Sequence, residues 1–88
     1  MNDFEVVVGA GVPPSAEGGA VRFPHPWTPE GVTVQADFTG VHLLHLAAAG
    51  RVLNDVYREA QRLGVQVRGV RVSLRQLRPG DLAVHRHR

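Results

Sequence analysis

Apolar and polar residues follow one another along this chain in a pattern that predicts strands around one long helix. Phe4-Glu5-Val6-Val7-Val8 gathers β-branched residues and predicts a first strand over 4–8. Gly and Pro crowd residues 9–20, which predicts a loop. Ala20–Phe23 predicts a short second strand. Pro24, Pro26 and Pro29 follow it, and proline donates no ladder hydrogen bond, so this segment belongs in a turn or at a sheet edge. Pro29-Glu30-Gly31 fits a tight turn. From Val32 to Phe38 the pattern has period two, with Val32, Val34, Ala36 and Phe38 on one side and Thr33, Gln35 and Asp37 on the other. That is a half-buried strand.

The helix is the best-defined element and spans about 39–63. Thr39 has the side chain of an N-cap, and Gly64 stands where a left-handed stop belongs. Leu53, Val56, Tyr57, Ala60 and Leu63 form a stripe at helical spacing, opposed by Arg51, Asp55, Arg58, Glu59 and Arg62. Val41–Gly50 is apolar nearly all round apart from His42 and His45, which predicts burial of that half. Gly50 lowers helix propensity by up to ~1 kcal/mol and so marks an expected close contact. Val65–Leu74 reads as a further strand whose phase slips at Gly69, as at a bulge. Residues 75–88 keep no period and read as an irregular basic tail, with a turn at Pro79-Gly80-Asp81. The expected class is therefore α+β, with residues 1–74 as the folded portion and 75–88 as the tail.

Composition narrows what such a unit does. With 88 residues it is one domain with a thin core, so a partner subunit is expected. A 43% apolar and 20% charged composition is that of a globular chain rather than a disordered one. No apolar run reaches the ~18–20 residues of a membrane span. MNDFEVVVG has no basic start and no cleavable apolar stretch, so the expected location is cytoplasmic. Cysteine is absent, which excludes disulfides, cysteine-held zinc, iron–sulfur clusters and thiol catalysis by this chain.

Charge is uneven. Residues 1–50 hold Arg22 against five acids, whereas residues 51–88 hold nine Arg against three acids. All the basic residues are Arg, which fits coding bias in a GC-rich genome. Arg68, Arg71, Arg75, Arg78, Arg86 and Arg88 are candidates for a polyanion contact. No recognition motif or aromatic platform accompanies them, so a solvated arginine surface is the preferred reading and nucleic acid is not expected as a partner.

Other candidate chemistry is sparse. His42 and His45 stand three apart on the helix and, with Asp37, form a possible metal set. The competing reading makes both histidines amphipathic residues at a helix entrance or subunit contact. Gly9-Ala10-Gly11 follows a strand but is succeeded by Pro13 and Pro14, not by a phosphate-binding helix. Ser15 and Ser73 have no base and oxyanion hole around them, and Asp55 and Glu59 sit beside arginines as surface pairs. No cofactor or metal is expected.

The segment FTGVHLLHLAAAGRVLNDVYREAQRLGVQVRGVRV, residues 38–72, resembles the OsmC/Ohr family of organic hydroperoxide reductases. In that family a strand leads into a long helix with a pattern like N-P-E-x-L-L-x-A-A-x-A-A-C. Thr39-Gly40 fall at its N-P, Leu43-Leu44 match its L-L, and Ala47 to Gly50 match its small residues. Val67, Gly69, Val70 and Val72 supply the V-x-G-V-x-V strand beyond the helix. The resemblance implies an intertwined homodimer with this helix near the interface, and a role related to the oxidative-stress response.

It also implies where the chemistry would sit. The peroxidatic cysteine falls at Arg51, whose guanidinium cannot attack a peroxide bond or form a sulfenic acid. The glutamate at the helix start falls at Val41, and Arg22, the one arginine upstream of the helix, is the candidate for the family's active-site arginine. The resolving cysteine belongs to a second long helix that would follow residue 74. The expectation is thus an OsmC-like half-domain, dimeric through its central helix and without peroxidase activity, for which a hydroperoxide is a doubtful substrate. The alternative is a small arginine-rich binding module for an acidic protein or nucleic acid.

Overall fold

The structure is a computed structural model and describes residues 4–11, 19–76 and 82–87. Five strands and one helix make an α+β fold in chain order β1 (Val6–Ala10), β2 (Val21–His25), β3 (Thr28–Gln35), α1 (Gly40–Leu63), β4 (Gly69–Leu74) and β5 (Leu82–His87). The strands form a single antiparallel sheet in the order β2-β3-β1-β4-β5. β3 and β4 both run against β1, so they are parallel to each other and α1 carries the chain across β1 between them.

Register decides the faces. Val8 lies opposite Val34 on one side and Val72 on the other, and Ala10 lies between Val32 and Val70. Side chains paired across neighbouring strands share a face. The inner face therefore collects Val6, Val8, Ala10, Val32, Val70, Val72 and Leu74, all buried, against Ala49 and Leu53 of α1. The outer face carries Thr33, Gln35, Val7, Gly9, Arg71 and Ser73.

The helix keeps both of its expected ends. Thr39 Oγ1 accepts from the His42 backbone N–H at 3.2 Å. At the other end Gly64 is left-handed, Val65 N–H donates to Ala60 O at 2.9 Å, and Gly64 N–H donates to Gln61 O at 3.2 Å. Those two bonds form a Schellman stop, which cancels carbonyls the helix would otherwise leave open.

Several boundaries differ from the expected ones. The first strand runs over 6–10, not 4–8, because Val6, Val8 and Ala10 are the positions that pair and bury. The turn falls at Pro26-Trp27, and Pro29-Glu30-Gly31 continues β3, where Thr28 pairs with His25. Ladder pairing extends the hairpin to its shortest connection, which local turn propensity did not reveal. β3 ends at Gln35, so Ala36 and Phe38 are exposed instead of buried, Phe38 at 87%. The last helix-linked strand starts at Gly69 without a bulge, since its register with β1 is continuous, and Val65–Arg68 is a connector. The irregularity of the sheet lies between Phe23 and His25 instead.

The largest correction concerns the tail. Leu82–His87 is a strand, β5, paired with β4 from Leu74↔Leu82 to Gly69↔His87. The expected turn at Pro79-Gly80-Asp81 lies outside the described residues, as do Ser15, Arg78 and Arg88. Among the described residues no helix is long and apolar enough to cross a membrane.

Gly31 is the strictest backbone requirement in the β2–β3 hairpin. It has φ +81°, and a Cβ there would collide with the Phe23 carbonyl oxygen. Gly31→Ala is expected to cost about 2 kcal/mol or more, because the left-handed strain and the clash act together. Chemical denaturation followed by circular dichroism measures it, and a loss under ~0.5 kcal/mol would show that the hairpin tolerates another conformation.

Candidate functional site

The entrance of α1 gathers Phe4, Asp37, Thr39, His42 and His45. Once Ala49, Leu53 and Ala60 face the sheet, helical spacing turns positions 42 and 45 inward with them. Both histidines are buried, whereas Val41, Leu43 and Leu44 are exposed, so the expected burial of Val41–Gly50 all round is corrected. The imidazoles find local partners. His45 Nδ1–H donates to the Phe4 carbonyl at 2.9 Å. His42 Nδ1 bonds Thr39 Oγ1 at 2.6 Å, and its ring lies 5.6 Å from that of Phe4. His42 Nε2 is buried without a hydrogen bond and stands 3.9 Å from Asp37 Oδ2. His42 and Asp37 thus come together, but His45 is turned to the backbone of Phe4. Among the described residues no three His, Cys, Asp or Glu side chains come close enough to hold a metal ion.

Arg51 points away from the sheet. Its side chain is 82% exposed, with Nε 3.8 Å from Asp55 Oδ2. Arg58 shares Asp55 at 3.3 Å, and Arg62 donates to Glu59 through Nε at 3.0 Å. These are the surface pairs the spacing predicts, and exposed pairs of this kind contribute at most ~1 kcal/mol each. Val41 is exposed on the same helix. Arg22 lies on β2, where its Nη1 donates to the Glu30 carbonyl at 2.5 Å.

One helix is about 10–12 Å across, whereas five strands at ~4.8 Å spacing span about 19 Å. α1 therefore covers β1 and β4 and leaves a cleft on each flank. On the β5 side, Val52, Val56, Ala60, Leu63 and Val65 line a cleft of about 430 Å³ rimmed by Asp55, Glu59 and Arg86. On the β2–β3 side lies a second cleft of about 300 Å³. Its polar end is His25, held from both sides. Nε2–H donates to Asn54 Oδ1 at 2.8 Å, and Nδ1 lies 3.0 Å from Thr28 Oγ1, whose hydroxyl donates to the Gly31 carbonyl at 3.3 Å.

The His25 ring meets Trp27 edge-on at 5.5 Å and Tyr57 at 5.9 Å. Burial, with a smaller contribution from the Glu30 carboxylate, raises the Tyr57 phenol above its usual pKa of 10.0, so it stays a neutral hydroxyl. His25, Asn54 and Trp27 belong to no motif that the sequence makes legible. The available signal was a histidine and the sole tryptophan packed among three prolines in a hairpin.

The outer face of the sheet holds a cross-strand row of Arg22, Thr33, Gly9, Arg71 and His85, one residue from each strand. Thr33 Oγ1–H donates to the Gly9 carbonyl at 3.2 Å in the middle of that row. Arg68 and Arg75 flank β4 at its two ends, Arg86 turns to the inner face, and Ser73 lies on the outer face without an acid–base partner in its row. No protein-family model, no curated protein and no solved structure matches this chain.

Proposed function

We propose that this chain is a self-associating, OsmC-like α+β domain that has no peroxidase chemistry of its own. The observation that carries the reading is the outward side of α1. Its first half presents Val41, Leu43, Leu44 and Ala47, with Leu44 57% exposed, and Phe38 stands just before it. A contiguous apolar surface on a small domain marks an interaction site. Its occupant in this reading is a second copy, meeting the first through the central helix, in the reducing environment that a cysteine-free chain suits. Arg51, where the resemblance puts the nucleophile, sits further along the same outward side and offers a hydroperoxide no reactive atom.

Two measurements test the chemistry. The purified chain is expected to reduce cumene hydroperoxide with a dithiol no faster than buffer. Arg51→Cys is expected to give an ordinary thiol with a pKa near ~8.5, because the residue is exposed and its nearest charge is the Asp55 carboxylate. A thiolate formed well below neutral pH, or peroxide turnover by either protein, overturns the reading.

A second reading, a binding surface for an acidic partner, is favoured by the outer-face row of Arg22, Arg71 and His85 alone. It requires retention on heparin that weakens steeply with salt and falls further in Arg22→Ala. Elution at the salt expected from net charge, unchanged in the variant, removes it.

A further inference from the structure

We propose that the cleft between α1 and the β2–β3 hairpin binds a compact, mostly apolar molecule carrying one hydrogen-bond acceptor. This site lies on the flank of α1 that faces β2 and β3, adjoining the outward side at Leu43, and does not rest on self-association. Three observations converge here. The first is shape and lining. The cleft of about 300 Å³ is walled by Val8, Phe23, Val32, Val34, Leu46 and Leu53. An enclosed apolar cavity of ~150 Å³ accepts benzene, and this larger cleft, open to solvent on one side, has room for two fused rings laid against its wall.

The second is Gly50. It stands in the middle of α1 at a helix-propensity cost of up to ~1 kcal/mol. The close intrachain contact expected there is absent, for a Cβ built on Gly50 meets nothing within 4 Å. Gly50 instead lines the cleft and leaves the helix backbone open to whatever enters.

The third is the polar end. His25 is fixed by Thr28 and Asn54, and it holds the Asn54 carboxamide by its oxygen. The Asn54 amide nitrogen makes no hydrogen bond among the described residues. A carboxamide donor at the edge of an apolar wall suits a carbonyl, ether or hydroxyl oxygen on a molecule whose remaining surface is hydrocarbon. Trp27, edge-on to His25, stands beside that end and reports on it.

The test uses 1-indanone as the probe, with indane, the same bicycle without its carbonyl, as the comparison. Amide NMR titration of the full chain is expected to show saturable shifts at Leu46, Gly50, Leu53, the Asn54 side-chain amide and the Trp27 indole. Indane is expected to bind about five-fold more weakly, the worth of one hydrogen bond. Asn54→Leu removes that difference. Gly50→Phe fills the space and abolishes the shifts, and Leu46→Trp does the same from the same wall if Gly50→Phe fails to fold. Absence of saturable shifts, shifts that persist in a folded filled variant, or equal binding of indanone and indane overturns the proposal. Shifts that grow with protein concentration but not with indanone identify a second copy as the occupant and also overturn it.

Discussion

Leu53→Ala is expected to remove about 3 kcal/mol of stability, the largest loss from any single truncation in this core. Leu53 is the largest fully buried side chain, 1% exposed, and it joins α1 to the inner face of the sheet. The remainder of the core is mostly valine and alanine, so few neighbours can collapse into the space left by three carbons. A chain of 88 residues has in total about 4–13 kcal/mol of stability, so the loss is about a quarter to three quarters of the whole. Its melting temperature is expected to fall by roughly 15 °C, since each kcal/mol moves a domain of this size by about 4–8 °C. Thermal and urea unfolding followed at 222 nm (helix) and by Trp27 fluorescence (hairpin) measures it. A loss below ~1 kcal/mol would mean that α1 is not seated on β1 and β4.

The second large effect is on association. Leu44→Glu places a carboxylate at the centre of the outward apolar stripe of α1. In a dimer joined there, the change forfeits about 1.5–3 kcal/mol of leucine burial and adds the cost of desolvating an unpaired charge. Together these raise the dimer dissociation constant by about two orders of magnitude or more. The monomer itself should be unaffected, because Leu44 is outside the buried cluster. Helix content and the unfolding midpoint at low concentration serve as controls. Unchanged association in a folded Leu44→Glu protein would move the interface elsewhere.

Much of this fold was legible because the signals were local. Thr39 and Gly64 delimit α1 through capping chemistry, and both ends bond as that chemistry requires. Val32 and Val34 carry the period-two pattern that faces them inward. What escaped was set by cross-strand and helix–sheet contacts. Leu82–His87 has only Leu82 and Val84 to suggest an inner side, with Arg86 following on it. Its strand character comes from the ladder with β4. A short edge strand of this kind takes its conformation from context more than from propensity.

The inward histidines teach the same lesson. Hydrophobicity alone puts Leu43 and Leu44 inside and His42 and His45 outside. The rotation of α1 is fixed instead by Ala49, Leu53 and Ala60, where small and medium side chains let the helix approach the sheet. His45 then bonds the Phe4 carbonyl and His42 the Thr39 hydroxyl, and the leucines are left facing solvent. The candidate cleft was less legible still. It arises because one helix is narrower than five strands, a mismatch that appears only after β2 and β5 are counted into one sheet.

In the proposed dimer two copies of this chain meet through the outward side of α1. Sedimentation equilibrium of the purified wild-type chain, from low to high micromolar concentration, tests it most directly. A reversible species at twice the 9.6 kDa chain mass is expected, which Leu44→Glu returns to a single chain. A wild-type protein that stays at 9.6 kDa across that range would contradict it.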